Sequence, residues 1–381
     1  MKNIFLFLLL FVGIQLNGQD TMVFQKLLEG HSGPVETVAF SPDGTLVASG
    51  GWDNVVRLYA FDSANFGTFL RTFTGHHGGI TSVAINKDNR LLASGSKDNT
   101  VNLYDLKSGR ILYTSHDHNK SVNHVAFDPS GRFLMTASSD KMFQLFDTDS
   151  LSIMNKKRVF FNYSAGLNDF VLSPSKGKII LASDNSNVDQ VGMNGKSNKT
   201  FAGHVGKVNC IDISSDQLTM ATGSDDKTIR LYNAKTGLLL RALEGHAWKV
   251  NSVKFSKDNR FLVSTCNNGE IKVWDVATGV AVSNLPSMGK NARQAEFSPD
   301  MKYIAVASLQ NGPIYGAGIY KTPYSVFVKQ KGGKGKNAKG TTPNAKVTPK
   351  TEKKPATAQA VTTAKSNAAS ASPKTTSPQK K

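Results

Sequence analysis

The chain has 381 residues, with 46 Lys and Arg against 28 Asp and Glu, a formal charge of +18. That length suits two or three average domains, and the charge invites a nucleic-acid reading. The charge is unevenly placed, however. Residues 329–381 hold 13 Lys and a single acid, Glu352, so they carry +12 and the 328 residues before them only +6. Two cysteines, Cys210 and Cys266, exclude a disulfide framework.

Residues 1–18 read MKNIFLFLLLFVGIQLNG: one Lys, an apolar run from Ile4 to Ile14, and a small residue at Gly18. The run has the length of a secretory h-region and is too short to span a bilayer. We expect a signal peptide cleaved after Gly18 and a secreted or periplasmic location. No Cys lies beside the cleavage site, so no lipid anchor is expected. No other segment reaches the roughly 18 apolar residues of a spanning helix, and no transmembrane segment is expected. In an oxidising compartment Cys210 and Cys266 form one bridge or stay as two buried thiols, the second being favoured.

From residue 22 the chain repeats itself. Gly-His stands at Gly30-His31, Gly75-His76, Gly203-His204 and Gly245-His246, with Asp117-His118 in the same role. Tyr163 and Met288 fall at the His position of two weaker units, giving seven units spaced by 41 to 45 residues. Four and seven residues after each start the side chain is apolar, as at Val35/Val38, Val122/Val125 and Ala292/Ala295. A turn such as Ser41-Pro42-Asp43-Gly44 or Asp128-Pro129-Ser130-Gly131 follows. Next come short runs such as Leu46–Ser49, Val55–Tyr59 and Phe69–Phe73, with no helical period. Each unit therefore predicts four short strands. Twenty-two residues after the His position stands Asp53, Asp98, Asp140, Asn185, Asp226, Asn268 or Gln310, and four before that Ser49, Ser94, Thr136, Thr222 or Ser264. A closing aromatic follows at Tyr59, Tyr104, Phe146, Tyr232 or Trp274.

Gly-His, a Ser-Pro-Asp-Gly-like turn, a Ser-Gly-x-x-Asp stretch and a closing Trp274-Asp275 resemble the WD-repeat β-propeller family over about residues 22–321. The resemblance implies an all-β, seven-bladed propeller of four-stranded antiparallel blades within residues 19–328. It also implies a structural hydrogen-bonded set in each good blade. Those sets are His31/Asp53/Ser49, His76/Asp98/Ser94, His118/Asp140/Thr136 and His204/Asp226/Thr222, in which a neutral His satisfies both a buried acid and a hydroxyl. The units at Tyr163 and Met288 lack these letters. The last unit supplies three strands, and Met22–Leu28 is a spare strand that should complete it and close the ring.

No pattern supports catalysis. His116-Asp117-His118 is read as repeat rather than metal pair. Asp184–Asp189 lacks the Gly and final Glu of a calcium loop, and Gly195-Lys196-Ser197 lacks the first Gly of a phosphate loop. No cofactor or metal is expected. What remains is a rim for a protein partner, with Trp52, Lys97, Lys207, Trp248 and Lys249 as candidate contacts, on a chain expected to be a monomer. Residues 329–381, made of Lys, Thr, Ala, Pro, Ser, Gly and Gln without aromatics, are expected to be disordered. They act as a tether or hold an anionic polymer; without aromatics they do not suggest specific nucleic-acid binding. An envelope enzyme with an unrecognised site is the remaining alternative.

Overall fold

Alternating apolar positions in each repeat become strands because a pleated chain sends successive side chains to opposite faces. The computed structural model of the protein describes residues 22–148, 159–285, 291–308 and 315–322. The expected signal segment, the basic tail, Met288 and Gln310 lie outside them.

The chain opens on β1 (Val23–His31). Blade one follows with β2 (Val35–Phe40), β3 (Leu46–Gly51), β4 (Val56–Ala60) and β5 (Thr68–Phe73). Blade two has β6 (Ile80–Ile85), β7 (Leu91–Ser96), β8 (Val101–Asp105) and β9 (Ile111–Ser115). Blade three has β10 (Val122–Phe127), β11 (Phe133–Ser138), β12 (Met142–Asp147) and β13 (Val159–Asn162). Blade four has β14 (Leu167–Leu172), β15 (Lys178–Ser183), β16 (Val188–Gly192) and β17 (Ser197–Phe201). Blade five has β18 (Val208–Ile213), β19 (Thr219–Ser224), β20 (Ile229–Asn233) and β21 (Leu239–Leu243). Blade six has β22 (Val250–Phe255), β23 (Phe261–Cys266), β24 (Ile271–Asp275) and β25 (Ala281–Leu285). Blade seven has β26 (Ala292–Phe297), β27 (Tyr303–Ser308) and β28 (Tyr315–Lys321), and β1 is its fourth strand. The fold is thus a seven-bladed all-β propeller of antiparallel four-stranded sheets.

Burial rises from the outer strand inward: β5 is exposed over its first half, whereas β3 is buried along nearly its whole length. Each β3-like strand is covered on both faces because the next blade packs on it. One cluster joins Val56, Leu58 and Phe73 of blade one to Ile80, Val83 and Leu92 of blade two. Gly50 shows how close the approach is. A Cβ placed there would lie 2.5 Å from Ile80 Cγ2, so only glycine fits. The turn between β2 and β3 is held by Ser41, whose Oγ donates to Asp43 at 2.6 Å and accepts from the amide of Leu46 at 2.9 Å. Gly44 takes the positive φ of +76° that the turn needs.

Ring closure follows the sequence expectation. β1 pairs antiparallel with β28 from Val23↔Lys321 to His31↔Tyr315. Leu28, fully buried, packs with Val35 and Val38 of blade one, while Met22 joins the cluster between blades six and seven. Met22 and the strand that follows it therefore tie three blades together. Among the described residues no helix is long and apolar enough to cross a membrane.

Candidate functional site

Four blades carry the expected hydrogen-bonded set. His31 Nδ1 lies 2.9 Å from Asp53 Oδ2 and its Nε2 2.8 Å from Ser49 Oγ. The same pairs measure 2.9 and 2.7 Å at His76, 2.9 and 2.8 Å at His118, and 2.8 and 2.8 Å at His204. An ionised carboxylate only accepts, so Nδ1 carries the hydrogen and Nε2 accepts from the hydroxyl. Burial holds His76 and His204 below the usual histidine range despite Asp98 and Asp226 beside them. Burial alone would raise Asp98, yet hydrogen bonds from Thr100 and the amide of His77, together with His76 itself, bring it down to about 2. Each acid also accepts from the amide after its His, as Asp226 does from Val205 at 3.1 Å. These sets clamp the loop entering a blade to its second hairpin.

Blades four, six and seven depart from the expected letters, and in four and six the structure shows what replaces them. In blade six Asn268, at the expected offset, does not take the acid's role. Glu270, two residues later and one methylene longer, meets His246 Nδ1 at 3.2 Å and the amide of Ala247 at 3.3 Å. Blade six is also the one with a Trp in the closing position: Trp274 Nε1 donates to Ser264 Oγ at 2.8 Å, and Ser264 meets His246 Nε2 at 2.7 Å. In blades one, two and five the closing Tyr keeps the packing but donates instead to backbone carbonyls before the Gly-His, as Tyr232 does to Ala202 at 3.2 Å. In blade four the hydroxyl of Tyr163 donates to Asp189.

A second ring, absent from the sequence expectation, surrounds the central channel. In every blade a β-bulge falls five residues after the His position, between Val35 and Thr37 in blade one and between Val208 and Cys210 in blade five. A bulge re-aims the extra side chain. Here those side chains are Glu36, Thr81, Asn123, Asn168, Asn209, Asn251 and Arg293, and they bridge neighbouring blades. Asn123 Nδ2 donates to Leu167 O at 2.7 Å, and Asn168, Asn209 and Asn251 reach Val208, Val250 and Ala292 carbonyls at 2.8 Å each. Thr81 donates to Val122 O. Between blades seven and one the polarity changes to an ion pair, Arg293 with Glu36, and Glu36 also meets Lys97 of blade two at 3.5 Å. Burial would raise Glu36, but Arg293, Trp52 and Lys97 hold it below its ordinary value.

Below this ring the channel wall is mixed. Eight residues after the His position, blades one to three carry Ala39, Ala84 and Ala126, whereas blades five to seven carry Asp212, Lys254 and Glu296; all but Asp212 line one cavity. Lys254 lies 3.5 Å from Asp212. Burial alone would lower Lys254, but Asp212, Asp169 and Glu296 raise it above its ordinary value. Burial pushes Glu296 up to about 7, against the pull of Lys254. The channel mouth is a cavity of about 310 Å³ whose wall includes Lys97, Asn123, His124, Lys207, Lys249 and Arg293.

The candidate rim residues are only partly brought together. Lys97 Nζ sits 4.2 Å above the Trp52 ring, and Trp52 Nε1 donates to Glu36. Lys207 and Lys249 line the same cavity as Lys97, and Lys207 is paired with Asp184 at 2.6 Å. Trp248 stands apart on blade six. Trp52 and Trp248 remain 48% and 58% exposed. Cys210 and Cys266 are free and buried.

The pattern of the WD domain, G-beta repeat, matches residues 22–60, 67–105, 109–147, 195–233 and 237–275, slightly more than half of the chain. The chain belongs to the WD-repeat family. Each matched segment begins on the outer strand of one blade and ends on the third strand of the next. The WD repeat is thus offset from the blade by one strand, which is what makes ring closure by β1 possible. The unmatched blades are four and seven, those that start at Tyr163 and Met288. Similar proteins are the eukaryotic translation initiation factor 3 subunit I of Aspergillus terreus, 37% identical over 76 residues, and that of Emericella nidulans, 34% identical over 76 residues; each match covers 20% of either chain. That of Neosartorya fischeri is 38% identical over 69 residues, 18% of either chain. The chain spans about a fifth of the length of these relatives.

Proposed function

We propose that this WD-repeat protein is a non-enzymatic scaffold that captures a protein partner on the rim around its channel mouth. The observation that carries this reading is the pair of half-exposed tryptophans, Trp52 and Trp248, on a rim where Lys97 and Lys207 are already paired with acids. Tryptophan burial against a partner is a recurrent hot spot, and Trp52 is held in place by Glu36 below and Lys97 above. A pre-set ring gives up little side-chain entropy on binding. The relatives are named as one subunit of an initiation factor, which supports a role in assembly. The leader of residues 1–18 favours action in the envelope or outside the cell. Affinity capture from the native organism tests the reading. A species held by the wild-type protein should be lost from the Trp52→Ala/Trp248→Ala double variant, whose melting temperature should match the wild type. Undiminished capture by the double variant overturns it.

A second reading is favoured by charge alone: the +12 of residues 329–381 suits an anionic polymer or surface. It is compatible with the first, since the two use different parts of the chain.

A further inference from the structure

Blade six differs from its sisters at the turn beside its histidine. Two residues before the acid position the sister blades have Gly51, Ser96, Ser138 and Ser224; blade six has Cys266. The carboxylate has moved from the Asp position to Glu270. The turn between β23 and β24 pins these two residues together: the amide of Cys266 donates to Glu270 O at 2.9 Å, and that of Gly269 to Cys266 O at 3.0 Å. As a result His246 Nδ1 or Nε2, Cys266 Sγ and a Glu270 carboxylate oxygen lie within 4.8 Å of one another.

We propose that His246, Cys266 and Glu270 form a zinc site. Three observations carry it. The donor set is imidazole, thiol and carboxylate, which suits a borderline-soft divalent ion and, through the thiol, disfavours calcium and magnesium. Donors around zinc stand at bonds of about 2.0–2.3 Å, so the 3.2 Å between His246 Nδ1 and Glu270 already fits one edge of a tetrahedron. Finally, the histidine has a built outer partner: its Nε2 meets Ser264, which is held by Trp274 at 2.8 Å. Such a partner orients a ligating ring. His246 and Cys266 are buried, while the Glu270 side chain is 34% exposed, which gives the ion an entry and leaves a fourth position for water.

The protons balance as follows. Zinc takes Cys266 as the thiolate, and the thiol hydrogen, now directed at Trp248 O at 3.1 Å, leaves to solvent. The His246 hydrogen passes from Nδ1 to Nε2, and the Ser264 hydroxyl, which donated to Nε2, turns its own hydrogen away and accepts from Nε2 beside the Trp274 N–H. Glu270 exchanges its hydrogen bond from His246 for the metal. No oxidation state changes, and one proton is released per ion bound.

The test uses the full chain, freed of metal, titrated with Zn²⁺ by calorimetry and with Co²⁺ by absorption. One equivalent of either ion should bind, Co²⁺ should give a thiolate-to-metal charge-transfer band, and Zn²⁺ should raise the melting temperature. Cys266→Ser is the decisive variant, because serine fills this position in three sister blades and keeps the fold. It should abolish the band and weaken Zn²⁺ binding by at least about tenfold. Cys210→Ser should change neither. Binding without the band, or binding that Cys266→Ser leaves intact, belongs to surface histidines such as His77 and His116 and overturns the proposal. So does the absence of binding to the wild-type protein.

Discussion

The His–acid–hydroxyl sets show how far single residues can be read. An acid at a fixed distance from a His, with a hydroxyl between, has one economical buried arrangement, and four sets formed as the spacing implied. Blade six breaks the fixed spacing: Glu270 meets the same His from two residues further on by using a longer side chain. The bulged ring of Glu36, the asparagines and Arg293 escaped for another reason. A bulge has no strong letter of its own, and the repeated Asn at 123, 168, 209 and 251 reads as ordinary surface until strand register is known. The channel charges escaped likewise, since Asp212, Lys254 and Glu296 come from three different repeats. They support a pH prediction. Glu296 sits at about 7 in the folded chain, above the ordinary 4.5, so its contribution is fully present below pH 4.5 and is lost as pH rises through 7. The groups beside it are Lys254 and Asp212, with His124 lining the same cavity. His124 is held low by burial and, with the buried His76, His204 and His246, runs the opposite way, losing stability as pH falls below the usual histidine range. Those terms cancel in a comparison with Glu296→Gln. Urea unfolding should show the variant gaining on the wild type by about 2 kcal/mol between pH 5 and pH 8, channel water reducing the full effect of the shift. A pH-independent gap between the two proteins would assign the cluster no such role.

At the scale of elements, the strands were legible because each is short, apolar on alternate positions and bounded by Pro, Gly, Asn or Asp turns. Even the weak units at Tyr163 and Met288 kept this pattern, and each became a blade or most of one in the described residues. The lost letters are those of the loop-to-hairpin clamp, not those of the strands, so blade four holds its shape with a substitute pair at Tyr163 and Asp189. The ring itself depends on one element more than any other. β1 supplies the outer strand of blade seven, and its Leu28 belongs to the core between blades seven and one. Deleting residues 22–28 leaves β28 as an open edge and breaks that core. The deletion should abolish the single cooperative transition seen by circular dichroism. Leu28→Ala, which keeps the strand, should cost about 2–4 kcal/mol in urea unfolding. A deletion variant that melts at the wild-type temperature would mean the ring does not need this strand.

For the whole molecule, the question is what a charge of +18 is for. In the propeller, four cations at the channel are paired with acids: Arg293 and Lys97 with Glu36, Lys207 with Asp184, Lys254 with Asp212. Residues 1–328 carry a net charge of only +6 and so offer little net field to a distant polyanion. Residues 329–381 hold 13 Lys against one acid, so two thirds of the excess sits outside the propeller. If that segment alone holds an anionic polymer, its binding follows counterion release, and affinity falls linearly on a log scale with salt, with a slope set by the number of lysines engaged. A chain ending at residue 328 should lose retention on heparin at low salt and lose the salt slope with it. Its melting temperature should equal that of the full chain, because every described strand is kept. Capture of the protein partner should be unchanged, since Trp52 and Trp248 remain. Full retention of the truncated chain on heparin would move the anion-binding surface to the propeller and make Lys207 and Lys249 at the channel mouth the residues to mutate next.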